Sequence, residues 1–191
     1  MSEALSVLIV GCGDIAGGYD ERANAGASEA AVLSHAGAYA SHSGFSVRAC
    51  VEPDRERRED FMTRWNVPAG YDDLASCLAG EGRFDVVSIC LPTAHHAGVL
   101  ETLLVADIGL VFAEKPVTDD PARSRKLVDA YEAKGVSMAV NYLRRWDPMV
   151  HGLRDELASG AWGKVQGVSG VYAKGVFNCA AGAARRARPR R

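Results

Sequence analysis

Short apolar runs alternate with segments of helical period along this 191-residue chain as far as Val140. The runs of strand length are Leu5–Val10, Phe45–Val51, Phe84–Leu91, Leu110–Ala113 and Val136–Val140. Strands that alternate with helices form a parallel sheet covered on both faces. Phe84–Leu91 is apolar almost throughout, as is typical of a central strand of such a sheet. The sequence therefore predicts an α/β fold, a Rossmann-type doubly wound parallel sheet.

Helical patterns separate these runs. One ends at about Ser41 after a polar Ala- and Gly-rich stretch, Tyr19–Ala27, and another extends to Lys134 from a cap at Thr118 or Asp119. The others cover Asp54–Trp65, Asp72–Ala79 and His96–Val105.

The pattern changes after Asn141. A helix over Trp146–Ala158 and a strand over Lys164–Tyr172 are expected to begin a second, α+β domain. We therefore expect an α/β domain at residues 1–142, the start of a second domain at residues 143–179, and a disordered basic tail at residues 180–191.

Composition excludes several classes of protein. A net charge of −2 argues against a nucleic-acid partner. An alternative is that the five arginines among the last seven residues bind nucleic acid in a salt-sensitive way. No run of about 18–20 apolar residues is present to span a membrane, so no membrane partner is expected. No signal-peptide pattern is seen, and the five scattered cysteines lack CxxC spacing. These features favour the reducing cytoplasm and no metal site.

A glycine-rich motif, Gly11-Cys12-Gly13-Asp14-Ile15-Ala16, follows the first strand. The first glycine permits a tight turn, the second allows the backbone to approach a pyrophosphate, and a small third residue permits close packing. The pyrophosphate would lie at a helix N-terminus. The alternative is a glycine-rich turn that binds nothing.

Glu52 ends the second strand, where an acidic residue can bind the ribose hydroxyls of a dinucleotide. The alternative is a surface charge beside Pro53. An acid at this position favours NAD, whereas Arg55, Arg57 and Arg58 could reach the 2′-phosphate of NADP.

Glu114-Lys115-Pro116 ends a later strand, at the edge where open α/β sheets bind ligands. Lys115 could donate a hydrogen bond or a proton to a substrate oxygen, with Glu114 positioning it. The alternative is a solvated ion pair beside a turn.

Two further groups follow strands at the same edge. His95 and His96, in the segment Pro92-Thr93-Ala94-His95-His96, could line a cofactor cleft or begin a helix in solvent. Arg144, Arg145 and Trp146 could also face the cleft or serve as packing and surface charge. His35, on the first helix, is assigned no role.

The order of these motifs resembles the Gfo/Idh/MocA oxidoreductases, the family of glucose–fructose oxidoreductase and the inositol dehydrogenases. The resemblance covers residues 5–178 and rests on the segments VLIVGCGDIAGG, CVEPDRER, VVSICLPTAHHAGVL, EKPVT, NYLRRWDP and GKVQGVSGVYAKGVFN. It implies an NAD(P)-binding domain and hydride transfer between a nicotinamide and a sugar, cyclitol or related secondary alcohol. It also implies homo-oligomers, although this chain's residues leave its own oligomeric state open.

The resemblance also implies residue roles. Gly11, Gly13 and Ala16, with Asp14 and Ile15, would hold the pyrophosphate, and Glu52 the adenosine ribose. Pro92, Thr93 and His96 would lie along the nicotinamide, and Arg145 would face the nicotinamide–substrate cleft. Glu114 and Lys115 would also line the cofactor site, and the pair would place Lys115 at the catalytic centre.

The resemblance stops after the segment that contains Tyr172, Lys174, Gly175 and Asn178. Family members continue with a helix that supplies a catalytic histidine, whereas this chain turns into AGAARRARPRR. We therefore expect a truncated or frameshifted member with weak or absent turnover. The alternative is a non-catalytic dinucleotide-binding or interaction module.

Overall fold

A computed structural model describes residues 3–20 and 32–171 and contains one six-stranded parallel sheet. The strand order is β3-β2-β1-β4-β5-β6. The strands are β1 (Leu5–Val10), β2 (Phe45–Val51), β3 (Ala69–Tyr71), β4 (Phe84–Ile89), β5 (Ile108–Ala113) and β6 (Ser137–Val140). The helices are α1 (His35–Ala40), α2 (Arg55–Trp65), α3 (Leu74–Glu81), α4 (Thr93–Leu103), α5 (Pro121–Lys134) and α6 (Pro148–Ala158). The predicted doubly wound Rossmann-type sheet is confirmed.

Side chains alternate between the two faces of the sheet. In β1, Val7 and Ile9 pack on the face that carries α1 and α2. Leu8 and Val10 pack on the opposite face with α3, α4 and α5. All four side chains are buried, and burial of a Val, Leu or Ile side chain stabilises by about 1.5–3 kcal/mol. This two-sided burial explains why the central strands are apolar throughout.

The register aligns the carboxyl ends of five strands at one edge. Val10 pairs with Val51 and with Ile89, Ile89 pairs with Ala113, and Ala113 pairs with Val140. The residue after each strand end therefore lies in a single row, with neighbouring strands about 4.8 Å apart. Across the sheet this row is Glu52, Gly11, Cys90, Glu114 and Asn141.

Helix caps correct some predicted boundaries. Asp120, rather than Thr118 or Asp119, caps α5, because its side chain accepts the Ala122 N–H and Pro121 begins the helix. The Thr118 hydroxyl instead accepts the Asp120 N–H, in the turn before the helix. Similarly, Asp73 caps α3.

Other boundaries also differ from the predictions. Helix α4 begins at Thr93, three residues before the predicted start, and β4 ends at Ile89 rather than Leu91. Strand β3 was not predicted, because three residues that include Gly70 are too short to show alternation.

The predicted strand over Lys164–Tyr172 is wrong for residues 164–171, which adopt no strand. Apolar alternation stabilises a strand only where a neighbouring strand satisfies its backbone, and no described residue pairs with this segment. Tyr172 lies outside the described residues, as do residues 21–31, with most of the Tyr19–Ala27 stretch, and the tail at 180–191.

The chain divides into one unit within Met1–Leu143 and a second within Arg144–Arg191. In the second unit, Asp147 caps α6 by accepting the Met149 N–H. No helix in the described part of the chain is long and apolar enough to span a membrane. Cys50 in β2 and Cys90, directly after β4, are buried and free.

Candidate functional site

The glycine loop begins where β1 ends, and Gly11 determines its course. Gly11 has a φ of +91°, and a Cβ added there would lie 2.8 Å from the Cys90 carbonyl oxygen. Only glycine adopts this conformation at such a distance without strain. Gly13 differs, because a Cβ added there meets no atom within 4 Å. The backbone at Gly13 is therefore open to a ligand.

The small residues after Gly13 pack the loop against helix α2. Ala16 is fully buried, and a Cβ on Gly17 would lie 2.2 Å from the Trp65 indole nitrogen. Gly17 thus meets the close-packing requirement that the motif assigns to its third small position. Sequence reasoning missed this role, although the extra glycine after Ala16 is its visible signal.

Glu52 joins the end of β2 to the glycine loop. Its side chain is buried and accepts hydrogen bonds from the Cys12 N–H at 3.1 Å and the Asp54 N–H at 3.1 Å. Arg57 lies 3.3 Å from the same carboxylate, and Arg58 donates to the Glu52 carbonyl oxygen. Glu52 is therefore a buried carboxylate at the sheet edge rather than a surface charge.

A cleft of about 160 Å³ opens between the glycine loop and α2. Gly13, Asp14 and Gly18 line one side, and Arg57 and Arg64 line the other. Cys12 also lines this cleft, and a hydrogen bond with Cys50, together with burial, raises the pKa of the Cys12 thiol well above its ordinary value. The cleft therefore presents backbone, carboxylates and guanidinium groups rather than a reactive thiolate.

Glu114, the residue after β5, is buried beside two hydrogen-bond donors. Its Oε1 atom lies 3.1 Å from His35 Nε2 and 2.6 Å from Asn141 Nδ2. Burial alone would raise the pKa of Glu114. The hydrogen bonds from His35 and Asn141, together with the electrostatic effects of His35 and Lys115, outweigh burial and hold this pKa below its ordinary value. The carboxylate is therefore charged at neutral pH.

His35 also contacts β4 and β5. Its Nδ1 atom lies 3.3 Å from the Ser88 hydroxyl, which is 2.7 Å from the Tyr39 hydroxyl. The Phe112 ring lies 4.8 Å from the imidazole, between ring centroids. Sequence reasoning gave His35 no role because its partner, Glu114, is 79 residues away.

Lys115 is exposed in the turn after Glu114, and His96 forms a hydrogen bond with the backbone of this turn. His96 is fully buried, with Nδ1 2.9 Å from the Pro116 carbonyl oxygen and Nε2 2.8 Å from the Leu91 carbonyl oxygen. It thereby joins the lysine turn to the end of β4. Pro92 precedes α4 as its N-terminal cap residue, and Thr93 begins that helix. His95 is exposed.

A second cleft, of about 320 Å³, borders this network. Ile15, Leu33 and Phe112 provide apolar walls, while His35 and Asn141 provide polar groups.

Arg145 lies in the second unit, in the 3₁₀ turn Leu143–Arg145, and is exposed. The first unit therefore brings together the glycine loop, Glu52, Glu114 and Lys115 at one edge.

A parallel sheet with a glycine loop and carboxylates along its carboxyl edge defines a dinucleotide-binding class of fold. Residues 5–142 match the model of the Gfo/Idh/MocA oxidoreductases, a family with an NAD-binding Rossmann fold. The chain belongs to this family, so the resemblance seen in its motifs is confirmed.

Curated relatives cover most of this chain. The inositol 2-dehydrogenase of Corynebacterium glutamicum (strain R) is 25% identical over 173 residues, covering 90% of this chain and 46% of the relative. That of Acidothermus cellulolyticus is 35% identical over 123 residues, covering 63% and 35%. The chain thus spans less than half the length of these relatives.

Solved structures share the fold. Myo-inositol 2-dehydrogenase from Lactobacillus plantarum superposes with a TM-score of 0.68 at 20% identity, covering 85% of this chain and 42% of that structure. Scyllo-inositol dehydrogenase from Lactobacillus casei, solved with NAD(H) and scyllo-inositol, gives 0.65 at 17% identity, covering 84% and 43%.

Proposed function

We propose that this chain is the cofactor-binding part of an NAD(P)-dependent dehydrogenase that acts on a CH–OH group of a sugar or cyclitol. The observation that carries the proposal is the row at the sheet edge, which joins an open glycine loop to a charged Glu114 beside an exposed Lys115. The family supports the same reading, since its relatives include inositol 2-dehydrogenases and a D-apiose dehydrogenase.

The residues present fit a dinucleotide. The open backbone at Gly13 admits the pyrophosphate, with Gly11, Asp14, Ile15 and Ala16 forming the remainder of the loop. The buried Glu52 carboxylate would accept hydrogen bonds from the adenosine ribose. When bound, the nicotinamide supplies the hydride acceptor or donor.

The nicotinamide side would be formed by Pro92, Thr93 and His96. His96 would act through the backbone of the lysine turn, since its ring is fully buried and bound to carbonyl oxygens.

NAD is favoured over NADP. A 2′-phosphate would bring negative charge against the buried Glu52 carboxylate, which two backbone N–H groups already hold. Arg57 lies beside this carboxylate and neutralises it only in part, so NADP is expected to bind, but more weakly than NAD.

Lys115 is the proposed catalytic residue. Its exposed ammonium would donate a hydrogen bond to the oxygen of the reacting carbon, and as a neutral amine it would accept the hydroxyl proton during oxidation. Glu114 would supply the fixed negative charge beside it.

The proposed domains are a cofactor-binding domain at residues 1–142 and the start of a substrate domain at residues 143–179, followed by a basic tail at 180–191. Residues 172–191 lie outside the described part. A reducing cytoplasm is the proposed location, in keeping with the buried, unbridged thiols of Cys12, Cys50, Cys77 and Cys90.

The test combines cofactor binding with turnover. The chain is titrated with NAD⁺ and then assayed for NADH formation with a panel of inositols and aldoses. Lys115→Ala should abolish turnover and retain NAD⁺ affinity, while the exposed Lys126→Ala should change neither. Turnover that Lys115→Ala abolishes, however slow, supports the dehydrogenase. Binding without turnover on any substrate removes catalysis from this chain and leaves a dinucleotide-binding module, and no binding would refute both.

A further inference from the structure

We propose that His35 is a positioning residue for the Glu114–Lys115 pair, holding the Glu114 carboxylate charged and fixed beside the lysine. This inference rests on the proposed function, in which Lys115 meets the substrate oxygen. His35 reaches the pair from α1, across the face of the sheet that carries Val7 and Ile9.

Packing gives the His35 ring a single orientation. His35 is 4% exposed, and the Phe112 ring covers it at 4.8 Å. Both ring nitrogens have partners, Glu114 Oε1 at 3.1 Å and Ser88 Oγ at 3.3 Å. Rotation of the ring would break both contacts and leave buried polar atoms unpaired, which is unfavourable.

The chemistry of Glu114 fixes the direction of its hydrogen bond with His35. An ionised carboxylate only accepts hydrogen bonds, so His35 Nε2 carries a proton and donates to Glu114. The other ring nitrogen, Nδ1, lies 3.3 Å from the Ser88 hydroxyl, which also shares a hydrogen bond of 2.7 Å with the Tyr39 hydroxyl. Burial raises the pKa of Tyr39 to about 12, which keeps its hydroxyl a donor at neutral pH.

The arrangement concentrates its donors on one atom. His35 and Asn141 both donate to Glu114 Oε1. Burial disfavours a charged carboxylate, and these two hydrogen bonds compensate, so Glu114 stays ionised. The titratable groups around it are His35 on α1, Lys115 in the following turn and Cys90 after β4. Burial raises the pKa of Cys90 well above its ordinary value, so its thiol is neutral. His35, the Asn141 amide and Lys115 therefore keep Glu114 ionised.

A structural role alone would predict only a loss of stability when His35 is replaced. A positioning role further predicts that the Glu114 charge follows the donor at His35. The chain allows a matched comparison. His35→Gln keeps an amide N–H near the place of Nε2, His35→Asn keeps one near Nδ1, and His35→Leu removes both.

The direct readout is the carboxyl ¹³C titration of Glu114 in the full chain, with circular dichroism to confirm folding at each pH. In the native chain the midpoint should lie below 4.5, the ordinary value. His35→Leu and His35→Asn should raise it, and His35→Gln should keep it low. An unchanged midpoint in folded His35→Leu, or a His35→Gln midpoint equal to that of His35→Leu, would overturn the inference.

A second readout does not require a variant to fold. In the native chain at neutral pH, ¹⁵N spectra of the His35 ring should show a proton on Nε2 that exchanges slowly with water. An unprotonated Nε2 would refute the proposed direction of the bond.

The kinetic readout separates this inference from the proposed function. His35→Leu should lower kcat by about 10-fold or more, the effect of losing a hydrogen bond to a charged group, while NAD⁺ affinity and KM remain near native values. His35→Gln should recover most of kcat. If the native chain binds no cofactor, the proposed function fails, whereas the Glu114 titration still decides the role of His35.

Discussion

At the residue scale, Gly11 and Gly13 are two positions apart and have different tasks. Gly11→Ala should destabilise the chain by about 1–3 kcal/mol, because its φ of +91° and the Cys90 carbonyl oxygen 2.8 Å away leave no room for a methyl group. Urea denaturation measures the change. Gly13→Ala is the matched control and should unfold like the native chain, since a Cβ there meets open space. Equal stability of Gly11→Ala and the native chain would contradict this.

Glu114 should make stability depend on pH. Its pKa is lowered in the folded chain, so its contribution is present above the unfolded value of about 4.5 and is lost as the pH falls through the lowered folded value. Glu114→Gln should therefore be less stable than the native chain by about 1 kcal/mol at pH 7, with the gap closing in acid. Urea denaturation at several pH values measures the difference in unfolding free energy between the two chains. A difference that does not change with pH would contradict the lowered pKa of Glu114.

Some residues of the candidate site could be predicted from the sequence, and others could not. Glu52 and Glu114 were predicted because each follows a strand, and strand ends of a parallel sheet share one edge. His35 could not be predicted, because it meets Glu114 only through the packing of α1 on β4 and β5. That packing depends on the three-dimensional course of residues far apart in sequence.

At the element scale, prediction gave the right bounds where turn residues border a strand on both sides. Strands β1 and β2 have the predicted bounds because each run is bordered by turn residues. Prediction failed in two opposite ways: strand β3 was not predicted, and the strand predicted over residues 164–171 does not form. Strand β3 forms without a pattern because β2 pairs with it, and residues 164–171 carry the pattern but pair with no described strand.

Helix α5 offers a test at this scale. Asp120→Ala should destabilise the chain by about 1 kcal/mol, because it removes the side-chain oxygen that accepts the Ala122 N–H at 2.8 Å. Asp119→Ala, one residue earlier and exposed, should change stability by less than about 0.5 kcal/mol. Chemical denaturation of both variants measures this. If Asp119→Ala proved the more costly, the cap would be misassigned.

At the scale of the whole molecule, folding and cofactor binding are linked. A ligand that binds only the folded chain, at about 100 times its Kd, should stabilise it by about 2.7 kcal/mol. The glycine loop and Glu52 belong to the same sheet edge and hold each other through the Cys12 N–H. NAD⁺ should therefore raise the unfolding temperature of the native chain and leave that of Gly13→Ala unchanged.

The central claim is that the sheet edge of this chain binds NAD. Isothermal titration of the folded native chain with NAD⁺ and with NADP⁺, beside folded Gly13→Ala, tests it most directly. We predict saturable one-to-one binding of NAD⁺, weaker binding of NADP⁺, and loss of both in Gly13→Ala. A native chain that unfolds cooperatively but binds neither dinucleotide would contradict the claim.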